Sequence, residues 1–216
     1  MHKSIINLNS IREDLKSKIN NYQNVKIIAV SKTFSIELIM PLIEYGHLEF
    51  GENKVQEAIS KWTDVKLINP SIKLHLIGKL QTNKVKLALK LFDYIHSVDN
   101  KKLAKKIADE ELKQNKKIKI FLQVNIGDEE QKSGINKDYL EDLHTYCKNL
   151  NLDIVGLMCI PPADNKSEIF FQKMKMLAKE LNLPELSMGM SADYIEAARN
   201  SATYLRIGSN IFGQRT

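Results

Sequence analysis

The stretch VKIIAVSKTF, Val25–Phe34, runs through apolar and β-branched residues and then ends on a lysine, Lys32. A run of this length and composition, bounded by polar residues, predicts a buried strand. Alternation puts Ile28, Val30 and Lys32 on one face and Ile27, Ala29 and Ser31 on the other. A lysine at that point has two readings. Its long side chain can snorkel into water where the strand leaves the core. Alternatively it is an amine shielded at the rim of a pocket, where desolvation disfavours the ammonium and leaves free base to attack a carbonyl.

Outward from this stretch, the same strand-then-helix pattern recurs. The sequence predicts strands over Val25–Lys32, Leu48–Asn53, Lys73–Gly78, Tyr94–Asp99, Lys119–Ile126, Ile154–Ile160, Leu186–Met190 and Tyr204–Ser209. Helices are predicted over Ser35–Tyr45, Val55–Trp62, Thr82–Leu91, Lys101–Gln114, Lys137–Asn149, Glu168–Leu181 and Tyr194–Asn200, with one more, Ser4–Tyr22, ahead of the first strand. Such repetition implies parallel pairing with right-handed crossovers, and eight strands close a (β/α)8 barrel. The competing architecture, an open doubly wound sheet, ordinarily has a glycine-rich phosphate turn after its first strand. Here SKTFS stands there without a glycine. The chain therefore reads as α/β, a single TIM-type barrel spanning residues 1–216 with an extra N-terminal helix.

Composition narrows the function classes. With 43% hydrophobic and 27% charged residues the chain is of globular type, and no apolar run approaches the roughly 18–20 residues of a membrane span. The opening MHKSIINLNSIRED lacks a signal-peptide core, which predicts a cytoplasmic protein. Cys147 and Cys159 stand in unlike contexts with no metal-ligand spacing, as suits a reducing compartment. The net charge of +6 comes mostly from lysines on helical stretches, interrupted by acids such as Asp109, Glu110 and Glu111. Only four arginines are present, Arg12, Arg199, Arg206 and Arg215, so a nucleic-acid stripe is disfavoured against a solvated surface.

In a barrel, chemistry gathers at the carboxyl ends of the strands. The predicted ends carry Lys32, then Glu52 and Asn53, Gly78, Ser97 and Asp99, Asn125, Cys159, Ser191, and finally Gly208 and Ser209. LSMGMS and LRIGSNIFGQR supply the last two. The loops after strands seven and eight are where barrels often hold a phosphate on backbone N–H groups and a hydroxyl. Ser191 reads as the N-cap of ADYIEAARN, with its hydroxyl and the following amides facing an anion. Simple capping by Ser191 and a simple turn at Gly208 are the plain alternatives.

At this point IIAVSKT, FGENKVQEA, HLIGKLQTNK, IHSVD, LQVNIGDEEQKSGI, GLMCIP, LSMGMSADYIEAA and RIGSNIFGQR together resemble the pyridoxal phosphate homeostasis protein family, in order from Ile27 to Arg215. Those proteins are similar to the amino-terminal barrel domain of alanine racemase. The resemblance implies pyridoxal 5'-phosphate carried as a Schiff base on Lys32, its phosphate held by Ser191 and the backbone at Gly208 and Ser209, and Arg206 near the pyridine nitrogen. On the residues alone, Arg206 is equally a structural arginine. Asn53 and Met188 are expected to line the pocket, with plain packing an equal reading for Met188. His75 is expected to support the core rather than to catalyse. Leu74 stands where an aromatic often precedes the histidine, and Lys79 replaces a commoner proline. Both are expected at the pocket's edge.

The implied function is a cofactor carrier without dedicated turnover, acting in vitamin B6 and amino-acid homeostasis and handing the cofactor to apo-enzymes. Racemisation needs a base on each face of the substrate. The opposing tyrosine of alanine racemase comes from a second domain that this sequence, ending at Thr216, is expected to lack, and a monomer is expected for the same reason. An arginine partner also leaves the pyridine nitrogen unprotonated and weakens the electron sink. The rivals are a weak racemase or lyase and an aldolase-type barrel using Lys32 on a sugar phosphate.

Overall fold

Residues 1–129, 131–162 and 167–214 are described by a computed structural model, in which eight parallel strands close into a barrel in sequence order. The strands are β1 Lys26–Val30, β2 Glu49–Glu52, β3 Lys73–Leu76, β4 Tyr94–Val98, β5 Lys119–Val124, β6 Asp153–Cys159, β7 Glu185–Ser187 and β8 Tyr204–Ile207. The crossovers hold α2 Ile36–Glu44, α3 Val55–Ile68, α4 Val85–Leu91, α5 Lys101–Gln114, α6 Leu140–Asn149, α7 Ser167–Glu180 and α8 Tyr194–Arg199. Helix α1, Lys3–Lys18, precedes the barrel and α9, Ser209–Phe212, follows it. Among the described residues no helix is long and apolar enough to cross a membrane.

Alternation sorts each strand between two cores. Ile28 and Val30 join Tyr94, Phe121, Met158 and Tyr204 inside the barrel, whereas Ile27 and Ala29 join Phe50, Leu74 and Leu76 in the larger layer between strands and helices. Both faces are covered, so the strands read as nearly continuous apolar runs. Each fully buried large side chain in the outer layer, such as Trp62, Phe92 or Phe171, stabilises by roughly 1.5–3 kcal/mol over leaving it in water. Helix α1 buries Leu8, Ile11 and Leu15 and is pinned by Asn7 Nδ2 donating to Ile211 O (3.0 Å) and Tyr194 Oη donating to Asp14 Oδ2 (2.8 Å). It thus braces α8 and α9, the helices after the last two strands.

Several strands end earlier than the apolar pattern predicts. β1 stops at Val30, β5 at Val124 and β8 at Ile207, while β7 is Glu185–Ser187. Pairing ceases where the loops of the barrel mouth begin, and alternation alone cannot see that boundary. Ser209, predicted as the last residue of the eighth strand, opens α9 instead, with Gly208 just ahead of it. The first helix ends at Lys18 and a 3-10 turn occupies Tyr22–Asn24, whereas α3 continues to Ile68. Arg215 and Thr216 lie outside the described residues.

Two consequences of this packing are testable. At Gly156, opposite Glu185 in the β6–β7 ladder, an added Cβ would lie 1.9 Å from the carbonyl oxygen of Glu185, which is backbone and cannot rotate aside. Gly156→Ala is expected to cost about 3 kcal/mol or more in urea unfolding. The core also buries His47, His75 and His96, and burial foremost pushes their pKa values below the usual 6.5, to about 4 for His47. Below pH 6.5 the unfolded chain binds protons that the folded chain refuses, so stability is lost as pH falls. Each histidine contributes a slope of roughly 1.4 kcal/mol per pH unit until its folded pKa is reached. Thermal midpoints measured from pH 7 to pH 5 are expected to fall.

Candidate functional site

The carboxyl ends of the strands surround one cavity of about 810 Å³. Val30 and Ile77 bring apolar surface to it from the barrel, and Phe34, Ile160 and Met190 bring more from the loops. Four cationic side chains line it, Lys32, Lys79, Lys132 and Arg206, and no aspartate or glutamate is among its described lining residues. Low-dielectric walls carrying one sign of charge concentrate the field, so this cavity favours anions.

Lys32 sits half-buried on the turn after β1 and lines the cavity, on the same side as Ile28 and Val30. That turn is demanding. Thr33 adopts φ 69°, a left-handed conformation costly for a β-branched residue. A buried carboxylate holds it in place. Glu52 Oε1 accepts from Ser31 Oγ (2.7 Å), Lys61 Nζ (2.9 Å) and Trp62 Nε1 (2.9 Å). Lys61 Nζ also donates to Ser31 O (2.9 Å), and Thr33 N–H donates to Glu57 Oε1 (2.6 Å). Glu52 was expected at the mouth beside Asn53. It instead shares the outer face of β2 with Phe50 and meets α3, and only Asn53 reaches the cavity.

The last two strands supply the other side. Gly189, at φ 89°, bends the chain out of β7, and its carbonyl accepts Arg206 N–H (3.0 Å). A Cβ at Gly189 would also strike Ala197 of α8 at 2.5 Å, so glycine is doubly required. The expected N-cap role of Ser191 is not observed: α8 starts at Tyr194, with Asp193 at the N-cap position and its Oδ1 accepting Met190 N–H (2.7 Å). The Ser191 hydroxyl turns instead to the first turn of α9, 3.0 Å from Ser209 Oγ and 3.4 Å from Asn210 N. Arg206 is buried, with Nη1 donating to Ser187 Oγ and Nη2 to Cys159 O, both at 2.8 Å.

Lys32, Asn53, Ser191, Arg206, Gly208 and Ser209 therefore meet at one cavity. Met188 does not. Past Ser187, which points inward, Met188 faces outward into the strand–helix layer and is fully buried there, while Met190, beyond the Gly189 bend, lines the cavity. Leu74 likewise lies in the outer layer rather than at the cavity's edge, whereas Lys79 does line it. His75 is inside the barrel and fully buried, in keeping with a supporting role. Sequence reasoning missed Gln123, Gln131, Lys132 and Ser133, from β5 and the loop after it. That loop is anchored by Gln123 Nε2 donating to Ser133 O (3.1 Å) and Gly134 N–H donating to Asp99 Oδ2 (3.2 Å). The signal available was inward alternation of Gln123 with Phe121, which sits in the inner core.

The Lys32 turn depends on charge balance beneath it. Glu52 is fully buried, all its hydrogen bonds among the described residues fall on Oε1, and Lys61 is the cation it meets. Removing one partner of a buried pair strands the other charge. Lys61→Met is expected to lower stability by about 3–5 kcal/mol in urea unfolding. A loss below 1 kcal/mol would show that the pair does not hold the turn.

Comparison with known proteins agrees with this fold. Residues 6–216 match the family described as alanine racemase, N-terminal domain. The pyridoxal phosphate homeostasis protein of Aquifex aeolicus (strain VF5) is 38% identical over 200 residues, 88% of this chain and 87% of that one. PipY of Synechococcus elongatus PCC7942, solved without PLP, is 33% identical with TM-score 0.87, covering 98% of this chain and 100% of that chain. The same protein solved with PLP bound is 34% identical with TM-score 0.81, covering 93% and 97%. Alanine racemase of Clostridium difficile 630, at 16% identity and TM-score 0.74, shares the fold over 99% of this chain and 57% of its own. The chain belongs to the pyridoxal phosphate homeostasis protein family, built on the barrel of the alanine racemase N-terminal domain.

Proposed function

We propose that this chain binds pyridoxal 5'-phosphate covalently through Nζ of Lys32 and acts as a carrier in vitamin B6 and amino-acid homeostasis, without dedicated turnover. The observation that carries this reading is one cationic cavity shared by Lys32, the paired hydroxyls of Ser191 and Ser209, and Arg206. The PLP-bound relative at 34% identity supports it.

The donor set fits the group. A phosphate takes O–H and N–H donors, which Ser191, Ser209 and the backbone at Gly208 and Ser209 would supply. Val30, Ile77, Ile160 and Met190 give apolar walls suited to an aromatic ring, and Asn53 adds a polar contact at the end of β2. When bound, the cofactor supplies an aldehyde that condenses with a primary amine. Lys32 provides that amine on a turn fixed by Glu52 and Glu57. Arg206, oriented by Ser187 and Cys159, would meet the ring nitrogen as an obligate donor and leave it without a proton.

The carrier reading draws support from the rest of the wall. No tyrosine, histidine or carboxylate is among the described lining residues. Besides Lys32 and Arg206, the titratable side chains are Lys132, held by Glu129 (2.5 Å) and donating to Pro161 O (3.2 Å), and Lys79 at the exposed rim. A racemase needs a second base poised against the first. As a carrier, the chain would work as a monomeric single domain over 1–216 in the cytoplasm and hand its cofactor to apo PLP-dependent enzymes.

Borohydride reduction of the loaded protein followed by peptide mapping is expected to put the cofactor's mass on the peptide containing Lys32, and Lys32→Ala is expected to be colourless. A coloured protein with unmodified Lys32 would overturn the attachment. Incubating the loaded protein with single amino acids in deuterated water tests the other half: α-hydrogen exchange with turnover would make the chain a racemase or lyase.

A further inference from the structure

The inside of the barrel holds polar groups that the cavity does not use. Glu49 opens β2 at the amino-terminal end of the barrel, away from the mouth, and its Oε2 lies 2.6 Å from His75 Nε2. His75 Nδ1 is 2.9 Å from His96 Nε2, and His96 Nδ1 is 2.8 Å from the Ser187 hydroxyl. Arg206 Nη1 donates to that same hydroxyl. Five side chains from β2, β3, β4, β7 and β8 thus form an unbroken line through the core. His75, His96 and Ser187 are wholly buried. His75 stacks on Tyr94 (4.4 Å) and His96 on Phe121 (4.2 Å), which fixes both imidazole planes.

The two ends of this line give it a direction. A guanidinium only donates and a carboxylate only accepts. Ser187 Oγ therefore accepts from Arg206 and has its one O–H to give to His96 Nδ1. His96 then carries its proton on Nε2 and donates to His75 Nδ1, and His75 carries its proton on Nε2 and donates to Glu49. Every atom in the line is satisfied with both rings neutral. Burial also disfavours the imidazolium, and for His96 the neighbouring His75 and Arg206 add to that. Around Glu49, burial works against ionisation, but His75 of β3, Lys26 of β1 and His47 before β2 outweigh it and hold the carboxyl below its usual range. Tyr204 of β8 is also close, and its hydroxyl accepts from Lys26 Nζ (2.8 Å).

We infer that Glu49 is a remote positioning residue for Arg206: its carboxylate sets both histidine tautomers, and through them aims the Ser187 O–H at His96, so that the hydroxyl's lone pairs face and lock the guanidinium toward the cavity. The effect on cofactor rests on the proposed function, because Arg206 is there taken to meet the ring. The orientation of the line does not rest on it.

Glu49→Gln keeps a near-isosteric partner for His75 but removes the charge and lets the side chain donate as well as accept. Nitrogen-15 NMR of the cofactor-free protein is expected to show Nε2–H tautomers for His75 and His96 in the natural chain, and mixed tautomers in Glu49→Gln. Ser187→Ala, which cuts the line nearer Arg206, is expected to disturb His96 and leave His75 Nε2–H. In the loaded protein, Glu49→Gln is expected to shift the absorption of the bound cofactor and to raise its Kd by roughly 2- to 30-fold. Unchanged tautomers in Glu49→Gln, or an Nδ1–H form in the natural chain, would overturn the inference. Mixed tautomers with unaltered absorption and Kd would break the link to Arg206. If the NMR behaves as expected while Lys32 proves unmodified, the cofactor reading fails and the line stands.

Discussion

Everything at the mouth of this barrel depends on the ladder between its first and last strands. β1 pairs with β8 over Lys26 with Tyr204, Ile27 with Leu205, Ile28 with Arg206 and Ala29 with Ile207. Those positions lie far apart in sequence, and closing so long a loop costs entropy that grows only slowly with length. Once the ladder is made, Lys32 two residues past the end of β1 and Ser209 two residues past the end of β8 necessarily share a cavity. Phe34 and Phe212, with ring centroids 5.0 Å apart, extend the same seam beyond the strands. On its other side β8 registers Ser187 with Tyr204, and Thr203 N–H, Met188 N–H and Arg206 N–H extend the bonding to Leu186 O, Tyr204 O and Gly189 O.

Charge is partitioned around that seam with some economy. The cavity is lined by cations alone among its described charged residues, and the acids that steady it stand behind its walls. Glu52 and Glu57 work from the α3 side on the Lys32 turn, while Glu49 works from inside the barrel on the line to Arg206. An acid in the cavity itself would draw the ammonium of a lysine into an ion pair and oppose an anionic ligand. Set behind the wall, a carboxylate fixes geometry without competing for the site. The cost is desolvation, largest for the fully buried Glu52, which charge-assisted hydrogen bonds offset.

Much of this was legible in the sequence because a strand's period of two is rigid. The grouping of Ile28, Val30 and Lys32 on one face followed directly from VKIIAVSK, and the eightfold repetition of strand and helix implied closure; which face points inward came from the fold. Legibility ended where the backbone leaves the period. Met188, expected at the pocket, follows the alternation from Ser187 into the outer layer, and Gly189, at positive φ, turns the chain so that Met190 reaches the cavity instead. Ser191 looked like a cap for α8, but Asp193 holds that position and frees the hydroxyl for α9, a choice between two nearby side chains that spacing cannot make. The interior line was invisible for another reason. Glu49, His75, His96 and Ser187 come from four strands, and only the relative register of those strands aligns them.

That register also explains why a barrel would keep imidazoles where leucines would pack more safely. Two buried histidines make the fold less stable in acid and contribute nothing that an apolar core of equal volume would not supply. Their value lies in direction. An apolar core cannot tell a buried arginine which way to face, whereas a line with an obligate donor at one end and an obligate acceptor at the other permits a single proton arrangement with both rings neutral. Arg206 also spends part of its hydrogen-bonding capacity on Cys159 O, so two of its N–H groups are fixed by the core. The guanidinium that lines the cavity is thereby held from behind, as Lys32 is held by its turn, and the wall is set before any ligand arrives. Pre-organisation of this kind lowers the entropy lost on binding, and in this fold it is gained at the expense of stability below neutral pH.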